Sequence, residues 1–379
     1  MASMAKIIVA MSGGVDSSLA AALLHEQGHE VIGITLHLWE GDDERLSESL
    51  CCSLEMTEIA RRVCARLGVP YYVLNYQREF RRYVIDHFIH AYAQGYTPNP
   101  CMECNREIKF RALLTRASQL GYEYVATGHY AQIRGMGDGG WGMGGVPPIP
   151  HPPSSISHLH RAADPEKDQS YLLYMLQQKE LSRLIFPVGG YRKADVRAMA
   201  AARGLESANR PESQDICFVP GGDYRSLLRE ELPESLVPGP IVDQQGRELG
   251  RHYGLPLYTV GQRRGLGLNG PEPLFVTALD TARNALVVGP ATAVIRDKFV
   301  VERASFVAEI WPSTPFTCHV QVRAHGTTVP AEVTPGDDGR LTVQLGEPLR
   351  AISPGQAAVF YDHDRVIGGG TIARPGDHE

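Results

Sequence analysis

Nine residues near the start of the chain, Ala10-Met11-Ser12-Gly13-Gly14-Val15-Asp16-Ser17-Ser18, restrict its fold more than any other stretch. Lys6-Ile7-Ile8-Val9 before them is a β-branched run that reads as a buried strand. Leu19 to Leu24 after them is a helix-forming run. A glycine pair between strand and helix lets the backbone turn sharply and sets bare N–H groups around a cavity. The helix N-terminus behind adds partial positive charge, and together these make an anion site. Ser12, Ser17 and Ser18 supply hydroxyl donors. Asp16 is the unusual member, because a carboxylate repels phosphate unless a magnesium ion or the helix N-terminus offsets it. The plainer alternative for these residues alone is an ordinary glycine-rich corner.

The string Ser-Gly-Gly-Val-Asp-Ser resembles the pyrophosphate loop (PP-loop) of the ATP pyrophosphatase superfamily, which implies cleavage of ATP to AMP and pyrophosphate. It is not a Walker loop, since the chain has no Gly-Lys dipeptide. The remaining composition is that of a soluble chain with room for two or three domains, and no apolar run approaches a membrane span. A formal net charge of −6 means that any nucleic acid must be held by local basic patches. Seven cysteines, an odd number thinly spread, suit a reducing cytoplasm. Cys51, Cys52 and Cys64 read as incidental.

Strand-like and helix-like segments alternate from Glu30 to Tyr130, which predicts an α/β fold with a doubly wound parallel sheet. Ligands in such sheets bind beyond the carboxyl ends of the strands, near the glycine loop and Leu36. His25-Glu26-Gln27-Gly28-His29 matches a zinc-protease pattern, but Gly28 should end the helix before the second histidine. Thr97-Pro98-Asn99-Pro100-Cys101-Met102-Glu103-Cys104-Asn105 is the second informative stretch. A helix starting just after Cys104 would stabilise its thiolate, making it a nucleophile candidate, while the Cys-x-x-Cys spacing alone also suits redox pairs and metal ligation. Arg106, Lys109, Arg111 and Arg116 on that helix are either a solvated face or a phosphate-facing one. Tyr124 to Tyr130 reads as a fourth strand ending in Gly128-His129.

Residues 135–160 read as a flexible insertion, with twelve Gly or Pro in the stretch 135–157. The Gly-x-Gly-x-x-Gly matches at Gly135 and Gly265 are chance, lacking a strand–turn–helix setting. Lys167-Asp168-Gln169-Ser170-Tyr171 leads into an expected helix Leu172 to Leu176, with Asp168 as a possible cap. Cys217 follows Ser213-Gln214-Asp215-Ile216 in a short extended segment, equally readable as buried or functional. From Pro220 onward helical periodicity disappears and short strands follow, predicting a small module to about residue 290 and then a β-barrel. The basic turn Gly261-Gln262-Arg263-Arg264-Gly265 is either solvated or set against RNA.

Taken together, Met11 to Ser17, Thr97 to Pro100, Cys104-Asn105, Thr127 to Tyr130, Lys167 to Tyr171, Gln214 to Phe218 and Ser353-Pro354-Gly355-Gln356 resemble the tRNA-specific 2-thiouridylase family over essentially the whole chain. The resemblance implies a PP-loop catalytic domain over 1–218, a small central domain over 219–290 and a C-terminal β-barrel over 291–379. It implies ATP-dependent thiolation of the wobble uridine, U34, in the cytoplasm, on tRNAs of the Lys, Glu and Gln type. ATP would be held by Ala10, Met11, Ser12, Gly13, Gly14, Val15, Asp16 and Ser17, with Leu36 and Gly128 at the adenosine and Mg2+ at the phosphates. Asn99, Pro100 and Cys101 would meet the target base, extruded from its stack. His129, Lys167, Asp168, Gln169, Arg323, Ala324 and Gln356 would contact tRNA. Cys217 would carry a persulfide received from a cysteine desulfurase or sulfur-relay protein, and Cys104 would release the sulfur by forming a disulfide with it. Many family members have aspartate where this chain has Cys101. That third thiol leaves open a [4Fe–4S] cluster on Cys101, Cys104 and Cys217 in place of the relay. Another PP-loop ligase is the alternative function, and it leaves the two separated thiols without a role.

Overall fold

A computed structural model describes residues 4–39, 54–135, 156–210, 216–268 and 272–375. Cys51, Cys52, Gln214, Asp215 and the 136–155 part of the expected insertion lie outside the described residues.

The first domain is built on a five-stranded parallel sheet. Its strands are β1 (Lys6–Ala10), β2 (Glu30–His37), β3 (Tyr71–Asn75) and β4 (Tyr124–Ala126), joined after the hairpin β5 (Gln132–Gly135) and β6 (Ser157–His160) by β7 (Leu184–Ile185). The order is β3-β2-β1-β4-β7. Ile8 of β1 packs into one buried cluster, while Ile7 and Val9 pack into another on the opposite face. All three are fully buried, each contributing about 1.5–3 kcal/mol of apolar burial. Strand alternation thus explains why the run carries no polar residue: both faces are covered. The chain goes from β1 outward to β3 and then returns to β4 on the other side of β1. The crevice at the carboxyl ends of β1 and β4 is therefore the topological switch point.

Helix α1 (Val15–Glu26) follows β1, and α2 (Leu54–Leu67) precedes β3. Helix α1 stops at Glu26, and Gly28 adopts a φ of 83°, so His25 and His29 do not share a helix face, as the glycine foretold. Between β3 and the Asn99 region a helical run forms in three stretches, Gln77–Phe80, a π-helical Arg81–Ile85, and Asp86–Ala93.

Residues 225 to 290 carry a four-stranded sheet of β8 (Gly239–Val242), β9 (Glu248–His252), β10 (Phe275–Asp280) and β11 (Ala285–Gly289). The second half is not free of helices, because Tyr224–Glu231 forms one, capped by the Asp223 side chain accepting from Arg225 N at 3.2 Å. The last sheet contains β12 (Ile295–Phe306), β13 (Phe316–Gln321), β14 (Val329–Pro335), β15 (Leu341–Arg350), β16 (Ala357–Asp362) and β17 (Arg365–Ile372). Their order is β12-β15-β14-β13-β16-β17, and β12 pairs back onto β17 to close a six-stranded barrel. Closure removes both edges, and the interior holds Val320, Val333, Val343 and Phe360 at full burial.

Two expectations are corrected. Residues 157–160, at the end of the expected insertion, form a strand that pairs with Gln132–Gly135 and extends the barrel sheet through His160 and Arg365. The segment after Gln169 is a single 3-10 turn, Ser170–Leu172, instead of a helix to Leu176. Its apolar run fills the space between domains, with Tyr171 donating to Ala357 O at 2.8 Å.

Candidate functional site

Met11 leaves β1 with its N–H still donating to Ile34 O at 2.8 Å, and its carbonyl accepts from the Thr35 hydroxyl at 2.7 Å. The chain then turns at Gly13, whose φ of 75° favours glycine and whose missing Cβ clears the Met56 carbonyl. Ser17 Oγ ties the turn, lying 3.2 Å from Ser12 N and donating to Gly14 O at 3.1 Å. Gly14 caps α1 without a side-chain oxygen. The first-turn N–H groups, which have no intrahelical acceptor, therefore face the crevice and suit an anion.

Asp16 occupies the second position of α1, where the helix dipole favours a carboxylate. Lys193 Nζ donates to both of its oxygens at 2.8 Å, and Tyr130 OH donates to Oδ1 at 2.7 Å. Lys193 begins the Lys193–Ala202 helix and is itself buried, with its own N–H donating to Asp164 Oδ2 at 2.9 Å. A buried cation at a helix N-terminus opposes the dipole. Its ion pair with Asp16 offsets that cost and places a lysine beside the loop.

Gly128 lies just past the end of β4, and a Cβ there would sit 2.7 Å from Ser17 N. It therefore permits close approach to the start of α1. Leu36 is a buried β2 residue in the core cluster. His129 is also buried, with its Nδ1 2.7 Å from Thr127 Oγ1 and its ring against Phe110 and Phe186. Burial, aided by the Lys109 charge, holds its pKa well below the ordinary value. The ring packs inward against these two phenylalanines, so His129 is not presented to solvent. Gln169 grips both backbone groups of Tyr130, its side chain accepting from Tyr130 N at 2.9 Å and its N–H donating to Tyr130 O at 2.8 Å. Through Tyr130, the 167–169 segment is linked to Asp16.

The helix expected after Cys104 begins earlier. Asn99 is its cap, accepting from Cys101 N at 3.1 Å, and Pro100 takes the first position. The helix runs through Pro100–Glu103, a π-helical Cys104–Ala112 and Leu113–Leu120. Cys101, exposed, holds the N-terminal position, while Cys104 is buried one turn in, with its N–H bonded to Pro100 O. The dipole argument made for Cys104 thus applies to Cys101. Cys217 is half-buried, and the neighbouring Phe218 packs edge-on against Phe80 and Phe88. The helical run Gln77–Ala93 that carries Phe80 and Phe88 also packs against the helix carrying Cys104. Among the described residues no group of three or more His, Cys, Asp or Glu is placed to hold a metal ion. Cys101, Cys104 and Cys217 are therefore not assembled as a cluster site. Burial pushes the Cys64 and Cys318 thiols up to about 12, which leaves them protonated and inert.

Arg106 and Arg111 pair with Glu103 and Glu107 along their own helix, favouring a solvated face for both. Gln356 joins the barrel to the stretch before Asn99, donating to Thr97 O at 2.7 Å, while Thr97 N donates to Pro354 O at 2.8 Å. The exposed Arg323 donates to Arg350 O and Ala351 O at 2.9 and 2.7 Å. The Asp168 carboxylate is turned inward onto Arg161, Ala162 and Ser170. Sequence reading missed Lys193, Tyr130 and Arg161. Tyr130 does close the motif string Thr127 to Tyr130, which is the one sequence signal for any of the three.

Three family profiles match the chain in succession. The tRNA methyl transferase HUP domain covers residues 5–221, the tRNA methyl transferase PRC-barrel domain 225–290, and the aminomethyltransferase beta-barrel domain 296–372. The tRNA-specific 2-thiouridylase MnmA of Roseiflexus sp. (strain RS-1) is 67% identical, the match covering 98% of this chain and 100% of that protein. The protein of that name from Chloroflexus aurantiacus (strain ATCC 29366 / DSM 635 / J-10-fl) is 64% identical over 98% and 99% of the two chains. That of Magnetococcus marinus (strain ATCC BAA-1437 / JCM 17883 / MC-1) is 45% identical over 97% and 98%.

Proposed function

This chain belongs to the tRNA-specific 2-thiouridylase family, an ATP-using group of tRNA sulfurtransferases, and from that premise we propose how its residues carry out the reaction. ATP lies across the switch point, its phosphates at the N–H groups and hydroxyls of Ser12 to Ser17 and its adenosine toward Leu36 and Gly128. The wobble uridine of a tRNA of the Lys, Glu or Gln type, extruded from its stack, enters beside Asn99, Pro100 and Cys101.

The observation that carries this reading is the Asp16–Lys193 pair set against the start of α1. A carboxylate there defeats phosphate binding unless cations accompany it. Lys193 is one such cation. Magnesium, which screens the triphosphate charge when bound, would be held by Asp16, whose carboxylate is 27% exposed at the crevice. The C2 oxygen of the uridine attacks the α-phosphorus, the bond to the bridging oxygen breaks, and pyrophosphate leaves toward the loop. The protein's part is positioning and charge stabilisation.

Sulfur arrives on Cys217 as a persulfide from a cysteine desulfurase or sulfur-relay protein. The Cys104 thiolate attacks Cys217 Sγ, the S–S bond breaks, and hydrosulfide leaves as the disulfide forms. Hydrosulfide adds to C2 and AMP departs with the former C2 oxygen, leaving the thiocarbonyl. A thiol reductant returns the disulfide to two thiols. The compartment that suits this cycle is the reducing cytoplasm; among the described residues no helix is long and apolar enough to cross a membrane.

Pyrophosphate release from ATP with and without unmodified tRNA tests the first step. The reading requires release that depends on tRNA and leaves AMP attached to the RNA. Release that is equal without tRNA would favour another PP-loop ligase.

A further inference from the structure

Two segments assigned above to the RNA, 167–169 in the first domain and 323–324 in the barrel, are fastened together by one side chain. Arg161 directly follows β6. Its Nη1 donates to Asp168 Oδ2 at 2.7 Å and its Nη2 to Gln321 Oε1 at 2.8 Å, with the guanidinium carbon 3.8 Å from the centre of the Tyr361 ring. Each partner is committed on its far side. Asp168 also accepts from Ala162 N, Ser170 N and Ser170 Oγ at 3.0, 3.2 and 2.9 Å, which sets the loop backbone on both sides of it. Gln321 donates its amide to the carbonyls of Arg323 and Ala324 at 2.8 and 3.0 Å, so the chain leaving β13 takes its shape from the same link. Tyr361 is fully buried in the barrel wall, and the backbone N–H of Arg161 donates to Asp364 O at 2.8 Å.

A planar guanidinium serves two acceptors at a fixed angle while stacking on a ring, which an ammonium cannot do. The Asp168 side chain is only 5% exposed and that of Arg161 27%, so the guanidinium is turned mainly onto its partners in the joint. We propose that Arg161 is a positioning residue for tRNA: it fixes the spacing between the Lys167–Gln169 loop and the Arg323–Ala324 turn, so that both meet one RNA backbone in register. The proposal rests on the reading of those two segments as RNA contacts.

The test measures tRNA binding, its salt dependence, the KM for tRNA and ATP affinity in Arg161→Ala, Arg161→Lys, Gln321→Ala and the double variant Arg161→Ala/Gln321→Ala. Arg161→Ala raises the KM for tRNA roughly tenfold, leaves ATP affinity unchanged, and adds little to Gln321→Ala because the two share one link. Its salt slope stays that of the wild type, since no phosphate contact is lost. Arg161→Lys, which keeps the charge and guards against misfolding of the alanine variant, lies between. An unchanged KM in Arg161→Lys and in folded Arg161→Ala overturns the proposal. A salt slope smaller by about one unit would also overturn it, by making Arg161 a phosphate contact. Lys167→Ala and Arg323→Ala stand as separate controls: tRNA binding unchanged in both would refute the assignment of the segments, whatever Arg161 does.

Discussion

Lys193 and Asp16, 177 positions apart, meet with the lysine ammonium 2.8 Å from both carboxylate oxygens at the mouth of the glycine loop. The pair sets the N-terminus of α1 against the start of a second helix. In the proposed reading it also reconciles a carboxylate with a triphosphate site.

Lys193→Ala is expected to lower tRNA-dependent pyrophosphate release about a hundredfold, because a charge facing the phosphates is removed. It should also destabilise the fold by about 1–3 kcal/mol, since Asp16 loses a charged partner in a largely buried setting. Thermal melting and a pyrophosphate assay separate the two effects. Normal release from the folded variant would show that the pair is structural alone.

A methyl group at Gly128 would lie 2.7 Å from Ser17 N and 2.8 Å from the Asp16 carbonyl carbon, both backbone atoms that cannot swing aside. Gly128→Ala should therefore displace the start of α1 and cost about 1–3 kcal/mol. Its KM for ATP should rise, while tRNA binding without ATP stays at the wild-type level. Steady-state kinetics and a filter-binding measurement check both halves.

The loop was legible because all its parts are local: strand, glycine pair, serines and helix follow one another in the chain. The parallel sheet and the barrel were legible for the same reason, through periodicities that need no distant partner. Lys193 was not, because its meaning comes from a carboxylate on a different helix. The helix start at Pro100 was missed although Asn99 and Pro100 are a proper cap and first position, and the expected helix began only after Cys104. The helix Tyr224–Glu231 was overlooked although Tyr224, Leu227 and Leu228 keep helical spacing, because it is one short element among strands and buries only Leu228 fully. Arg161 gave no local signal at all, since each of its partners lies on a different turn or strand.

The relay and cluster accounts differ at Cys101. With Cys101 exposed and Cys104 buried, the relay expects Cys101→Ser to retain substantial thiolation in air. Cys104→Ser and Cys217→Ser should each lose it while still adenylating the RNA. Loss of activity in Cys101→Ser together with loss of bound iron would reverse this assignment.

His129 is buried as the neutral ring, so its folded pKa lies below the ordinary 6.5. The unfolded chain then binds the extra proton first as pH falls. Stability from this group is present above pH 6.5 and is lost progressively as pH drops toward the folded pKa. Other partly buried histidines, including His87 and His160, shift in the same direction. His129→Phe should therefore reduce, without abolishing, the fall in melting temperature below that pH. A melting profile that keeps the full wild-type slope would contradict the buried neutral state.

The most direct measurement incubates the protein with ATP, magnesium, unmodified tRNA and a protein persulfide donor, then digests the RNA and identifies its nucleosides by mass spectrometry. The account predicts 2-thiouridine at the wobble position, with one AMP and one pyrophosphate formed per sulfur inserted and none of the product without ATP. AMP and pyrophosphate formed in full without tRNA, with no 2-thiouridine in the RNA when it is present, would contradict it.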